Sequence, residues 1–259
     1  INQYNECRMG SSMLAYLGGY QDPRLPKYFN TSTVSQAVTV GTYGKYSGVP
    51  TGHDVSSNDA FKDSSRPAIT STTPTYWMRA SEVYFLLAEA ALHGFAVGGT
   101  AESLYEKGIE MSFEENGIAS SEVADYMSSG LKPSVYSFHL TNPSVNVDAP
   151  ALTQATTEWT GTDEEKLEKI MIQKWIALYP NGQEAWTEYR RTGYPKLHST
   201  ITNYSNGEVD SEVGIRRMRF PTNKSTSAED IANLESARKL LRGGLDKAGT
   251  RLWWDNKNH

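Results

Sequence analysis

Residues 162–192, TDEEKLEKIMIQKWIALYPNGQEAWTEYRRT, constrain the fold more than any other stretch of the chain. Thr162 followed three residues later by Glu165 is a capping box, in which each side chain satisfies a backbone N–H left open at a helix start. Leu167, Ile170, Met171, Trp175 and Leu178 then recur on one side at three-and-four spacing, with Lys174 among them, while Ile172, Ile176 and Tyr179 widen the apolar face. A stripe this broad must be buried between at least two neighbours. Pro180, Asn181 and Gly182 supply a turn, and Gln183–Arg191 returns as a second helix that Gly193 closes and Pro195 forbids from continuing. The product is a helical hairpin.

A second hairpin is expected further upstream. After Pro74, residues 76–93 place Trp77, Ala80, Val83, Tyr84, Leu87, Ala88 and Ala91 on one face, and the GFAVGG run stops the helix. Residues 101–116 follow, with Leu104, Tyr105, Gly108, Ile109, Met111 and Phe113 turned toward a partner. Ala101, Tyr105 and Gly108 have the spacing by which the second helix of a tetratricopeptide (TPR) unit admits its neighbour closely, and the same residues also suit plain helix packing. Shorter helices are expected near 120–128 and over 227–242, the last carrying Ile231, Leu234, Ala237, Leu240 and Leu241. Between them run two long irregular segments. Residues 30–75 are rich in Ser, Thr and Gly yet keep Tyr43, Tyr46, Phe61 and the β-capable AVTVGTY, so they should pack over the helices. Residues 130–161 hold Pro133, Pro143, Pro150 and Trp159. The expected class is mainly α, TPR-like helical hairpins with long irregular loops.

Composition narrows the function. With 38% hydrophobic and 11% aromatic residues, 259 residues suffice for one large domain or two small ones. A net charge of −5 without a basic stripe disfavours nucleic acid as a partner. Cys7 is the single cysteine, read here as a small buried thiol, and the five histidines have no metal-ligand spacing. No cofactor or metal is expected. The apolar run at 83–92 is interrupted by Glu89 and far too short to span a bilayer. The N-terminus lacks a basic and apolar targeting pattern, so the expectation is a processed protein or part of a longer one.

No nucleophile elbow, phosphate loop or dinucleotide fingerprint is present, and the paired acids Glu114–Glu115 and Glu164–Glu165 read as solvated helix ends. The cluster of Trp186, Tyr189, Arg190, Arg191 and Tyr194 fits two roles, a surface that stacks on a sugar ring or a helix-to-loop junction. In RRMRFP (216–221), three arginines follow Glu208, Asp210 and Glu212, which suggests a neutralised extended segment rather than an anion site.

Four motifs in this order, YWMRASEVYFLLAEAALHG, QKWIALYPNGQEAWTEYRRTGYPKL, RRMRFP and TRLWWD, resemble the C-terminal part of SusD/RagB-type outer-membrane lipoproteins. The N-terminal MLAYLGGYQDPRLPKYF is similar to that family's D-P-R-L segment, so the resemblance covers the whole chain. It implies a partial SusD-like α-superhelical fold, with residues 1–259 as one C-terminal domain lacking the N-terminal anchor and first helical repeats. It also implies a non-enzymatic, cell-surface protein that captures oligosaccharide or another nutrient and delivers it to a SusC-like TonB-dependent transporter. Members are tethered through a lipidated N-terminal cysteine, whereas Cys7 belongs to the body of the domain. In such proteins the W-x2-Y-R-R-T-G-Y-P cluster is a structural junction, which assigns Trp186 through Tyr194 to architecture. Ligand contacts then fall to aromatics in polar loops: Tyr43, Tyr46 and Trp159 as stacking faces, with Asp54 and Asp59 as acceptors for hydroxyls. Anchoring of the loops is the alternative role for each ring. A helical interaction scaffold and a glycoside hydrolase are the competing functions; the first would bind only protein and the second would release reducing sugar.

Overall fold

A computed structural model of the protein describes residues 6–33, 45–54, 61–139, 146–221 and 227–256. Its elements are α1 (Ser11–Gly19), α2 (Leu25–Tyr28), α3 (Ala80–Leu92), α4 (Ala101–Glu115), α5 (Glu122–Met127), β1 (Tyr136–Phe138), β2 (Val147–Ala149), α6 (Asp163–Ala177), α7 (Gly182–Thr192) and α8 (Ala228–Lys239). Both expected hairpins are present, α3 with α4 and α6 with α7, and α6 packs back on α3 and α4.

Local chemistry sets the helix starts that the sequence announces. The Thr162 side chain accepts from the Glu165 N–H at 3.3 Å, and Glu165 accepts from the Thr162 N–H at 2.7 Å. Asn181 caps α7 through the Glu184 N–H, and Gly193 closes it by donating to the Tyr189 carbonyl at 2.8 Å. The close approach suggested for Gly108 is real. A Cβ there would stand 2.6 Å from the Phe85 ring, so α3 and α4 meet at a distance only glycine permits.

Helix α3 departs from its expected bounds and face. It begins at Ala80, and Trp77, expected on the inner face, is 97% exposed. The reason is tertiary: Glu115, at the end of α4, accepts from the Ser81 N–H (2.9 Å) and hydroxyl (2.8 Å) and so caps α3 from a neighbour. The inner face is Ser81, Glu82, Phe85, Ala88 and Glu89, while Val83 is turned outward. Glu89 can lie inward because Arg191 of α7 clamps it with two 2.7 Å hydrogen bonds.

The N-terminal segment, unassigned from periodicity, is central. Asp22 and Arg24 of the D-P-R motif are fully buried. Arg24 donates to Asp22 at 2.6 and 2.9 Å, to Gln173 of α6 at 2.7 Å and to Ser112 of α4 at 3.0 Å, and the Tyr126 hydroxyl of α5 donates to Asp22 at 2.7 Å. Burial opposes the guanidinium's charge, yet the Asp22 carboxylate holds its pKa above the ordinary value. Around this node one core runs from Met9 through Phe85, Tyr105 and Phe113 to Ile176.

Three further expectations are corrected. Cys7 is exposed, not a buried thiol. The stretch 130–161 contains an antiparallel hairpin pairing Tyr136 with Ala149 and Phe138 with Val147. Helix α8 forms, but none of its residues is buried. The RRMRFP arginines are neutralised as expected, though by different acids: Arg216 by Asp255, Arg217 by Asp246, and only Arg219 by the upstream Glu208. The AVTVGTY strand candidate lies outside the described residues.

Candidate binding cleft

The aromatic and arginine cluster after α6 is bonded into the fold. The Trp186 indole donates to the Ile215 carbonyl (2.9 Å) and stacks under the Arg190 guanidinium at 3.6 Å. Tyr189 donates to Val213, Arg190 to the Arg216 carbonyl, and Tyr194 to Glu164. Each polar tip is committed, which is the signature of a junction rather than of a ligand surface.

A different pair of loops, distant in sequence, builds a cleft. Residues 45–54 lie along the N-terminal segment through Val49 N–H to Met9 carbonyl (2.7 Å) and Ser11 N–H to Val49 carbonyl (2.9 Å). Their far end pairs with a loop 150 residues away, Ile201 N–H to Thr51 carbonyl (3.1 Å) and Thr202 N–H to Gly52 carbonyl (3.0 Å). Gly52 has φ +69, and a Cβ there would collide with Thr200 at 2.3 Å, so this turn requires glycine. Beyond it, the Tyr204 hydroxyl donates to the Asp54 carboxylate at 2.6 Å, and the Tyr204 ring is left 71% exposed. Asp54 in turn raises the pKa of that hydroxyl.

Between this loop pair and the β1–β2 hairpin lies a cavity of about 410 Å³. Asp148, Lys196, His198, Ser199 and Glu212 line it with hydrogen-bonding groups, and Tyr136, Leu152 and Ile201 supply apolar wall. His198 is oriented by Ser11, whose hydroxyl lies 2.9 Å from Nδ1, and by the Tyr136 ring at 5.4 Å; burial lowers its pKa, which keeps the imidazole neutral near pH 7. Asp148 is held by Ser137 and then by His139, and these hydrogen bonds depress its pKa. Glu212 accepts from Ser199 at 2.5 Å. A cleft with fixed acceptors and a neutral imidazole, with an exposed aromatic ring three residues along the loop from Ile201 of its wall, suits an uncharged polyhydroxylated ligand.

Of the suggested residues that are described, Asp54 alone bonds into this loop pair, through Tyr204, and it does not line the cavity itself. Tyr46 is corrected: it is 7% exposed and part of the core, because Lys45 and Ser47 on either side are bonded to Ser32 and Ser65, which fixes the ring inward. Trp159 is half-buried, packed on Tyr105 of α4 at 5.1 Å with Lys166 over its face. Tyr43 and Asp59 lie outside the described residues. Tyr204, His198 and Glu212 carry no sequence signal, since nothing local distinguishes them from other loop residues. Among the described residues no group of three His, Cys, Asp or Glu side chains can hold a metal ion, and no helix is long and apolar enough to cross a membrane.

Comparison with known proteins gives a consistent answer. The family model for SusD-like proteins, described as SusD and RagB outer-membrane lipoproteins, matches residues 1–255. A SusD homologue from Bacteroides ovatus is similar at a TM-score of 0.87 and 36% identity, over 98% of this chain and 53% of that one. A SusD homologue from Bacteroides thetaiotaomicron gives 0.85 and 36%, over 97% and 52%. A chitin-binding SusD homologue from Flavobacterium johnsoniae gives 0.84 and 39%, over 99% and 51%. No curated protein matches the chain. The chain thus spans about half the length of these solved relatives.

Proposed function

The chain belongs to the SusD and RagB family of outer-membrane lipoproteins, and from that premise we propose that it captures an oligosaccharide at the cell surface, leaves it intact, and delivers it to a SusC-like TonB-dependent transporter. The observation that carries this reading is the exposed Tyr204 ring, fixed by Asp54 on the loop pair that also supplies Thr51 and Ile201 to the wall of the cleft. An aromatic face covers the C–H side of a pyranose, and the acceptors behind it take its hydroxyls. Oligomers of N-acetylglucosamine are the first ligands to try, because one relative binds chitin. Their acetamido groups offer an N–H to the carboxylates and a methyl to Ile201 and Leu152.

The hydrogen bonding of the carboxylates supports binding without cleavage. Glycoside hydrolysis needs one carboxyl whose pKa is raised so that it can protonate the leaving oxygen. Asp148 is shifted the opposite way by Ser137 and His139, and Glu212 already accepts from Ser199. Affinity electrophoresis through gels containing single polysaccharides, with chromatography of the incubated sugars, tests both halves of the reading. Retardation in at least one gel with no shortened product is the expected result. Defined products that disappear in Asp148→Asn or Glu212→Gln would replace it with a hydrolase.

A further inference from the structure

The charges around the cleft are unevenly matched. Asp148 and Glu212 stand in its wall against a single lysine, Lys196. Neither acid is held by a permanent cation: Glu212 accepts from the Ser199 hydroxyl at 2.5 Å, and Asp148 is held by the Ser137 hydroxyl and by His139 Nε2 at 2.9 Å. His198, the other basic group in the wall, adds no charge at neutral pH, because burial disfavours its imidazolium more than the Pro150 carbonyl beside it favours it. The loop that carries Glu212 deepens the imbalance. Residues 197–214 contain Glu208, Asp210 and Glu212 and neither lysine nor arginine. Glu208 is balanced from outside by Arg219 at 3.4 Å, whereas Asp210 accepts from the backbone N–H groups of Glu212 and Val213 at 2.8 and 3.0 Å and so fixes the turn that presents Glu212. On the facing loop, Asp54 is bonded to the hydroxyl of Tyr204, an uncharged partner.

We propose that Glu212 and Asp148 set the charge selectivity of the cleft, which admits neutral glycans and rejects acidic ones. The inference rests on the glycan reading above and narrows it to a class. A sugar hydroxyl donates to either carboxylate. The carboxylate of a uronic acid, or a sulfate ester, can only accept, and it gives up its water beside two fixed anions in a concave site, where the protein walls limit screening. Lys196 can compensate only one of the two. Discrimination of this kind works by repelling the wrong partner, not by gripping the right one more tightly. Glu212 is the principal determinant, because among the described residues its carboxylate has one hydroxyl partner, while Asp148 has a hydroxyl and an imidazole.

Matched ligands isolate the charge. Chito-oligosaccharides, lichenan and glucomannan are each compared with the same glycan oxidised at C6, which turns a primary hydroxyl into a carboxylate and leaves the glycosidic backbone as it was. A neutral member that the protein binds should bind about tenfold or more tightly than its oxidised form at low salt. Added salt should narrow that gap by improving the oxidised form, since screening acts only where two charges meet. Glu212→Gln, which can still accept from Ser199, should narrow it too, whereas Lys196→Gln should widen it. The ratio of the two affinities is the readout, so a general loss of binding in a variant does not imitate the effect, and the salt series needs no variant. Equal or tighter binding of an oxidised glycan by the parent would overturn the proposal, as would a gap that neither salt nor Glu212→Gln narrows. Binding of neither set would remove the glycan reading itself, and this inference with it.

Discussion

Asp22 and Arg24 show how much one buried pair can organise. Their carboxylate and guanidinium join the N-terminal segment to α4, α5 and α6, and neither touches solvent. Removing one partner from such a pair strands the other charge, at a cost of about 3–5 kcal/mol. Asp22→Asn should therefore lower unfolding free energy by that order in urea titrations, with little change in the denaturant slope; a loss under about 1 kcal/mol would mean that Arg24 finds other acceptors. Glu188 gives a pH signature. Burial alone would raise its pKa, but hydrogen bonds from Arg191 and the charge of Lys174 bring it below the ordinary value. Its contribution is thus present above the unfolded carboxylate pKa of about 4.3 and disappears as pH falls through the lower folded value. Between neutral and acid pH, Glu188→Gln should lose less stability than the parent protein. Parallel curves would remove Glu188 from the acid transition. Neither role was legible beforehand, because D-P-R is readable as a motif while its partners lie about 90 to 150 residues away.

At the scale of elements, the signals around the α6–α7 hairpin are legible locally. The Thr162 capping box, the Pro180–Gly182 turn and the Gly193 stop depend on residues within one turn, and all are found. The face of α3 depends on what lies opposite. Counting apolar residues selects Trp77 and Val83, whereas the fold turns Glu82 and Glu89 inward, Glu89 toward Arg191. The β1–β2 hairpin is too short to show a period of two, and α1 is buried along most of its length, so it shows no stripe. Two glycines separate close packing from mere turn formation. Gly108→Val forces a side chain against Phe85 and should destabilise by about 1–3 kcal/mol. Gly182→Ala, at the start of α7 with open space around it, should be neutral or stabilise by about 0.4–1 kcal/mol. Thermal melts of both variants decide whether the α3–α4 contact is as tight as the geometry requires; equal effects would contradict it.

For the whole molecule, the family and the hairpin architecture were legible because their motifs recur in order along the chain, while the binding surface was not. Tyr46 lies in the right segment but faces the core, and among the described suggested residues Asp54 alone bonds to the loop beside the cleft. Tyr204 escapes notice since its position is set by pairing between loops 150 residues apart, a relation no local pattern encodes. The proposal rests on that exposed ring, on the loop that supplies Ile201 to the cleft wall, being a stacking face for glycan. Calorimetric titration of the parent and of Tyr204→Ala with a glycan that retards the parent protein tests it most directly. The expected result is a loss of about 1–3 kcal/mol in binding, roughly five- to 150-fold in Kd, with an unchanged melting temperature because the ring is exposed. Equal affinity in the two proteins would contradict the account.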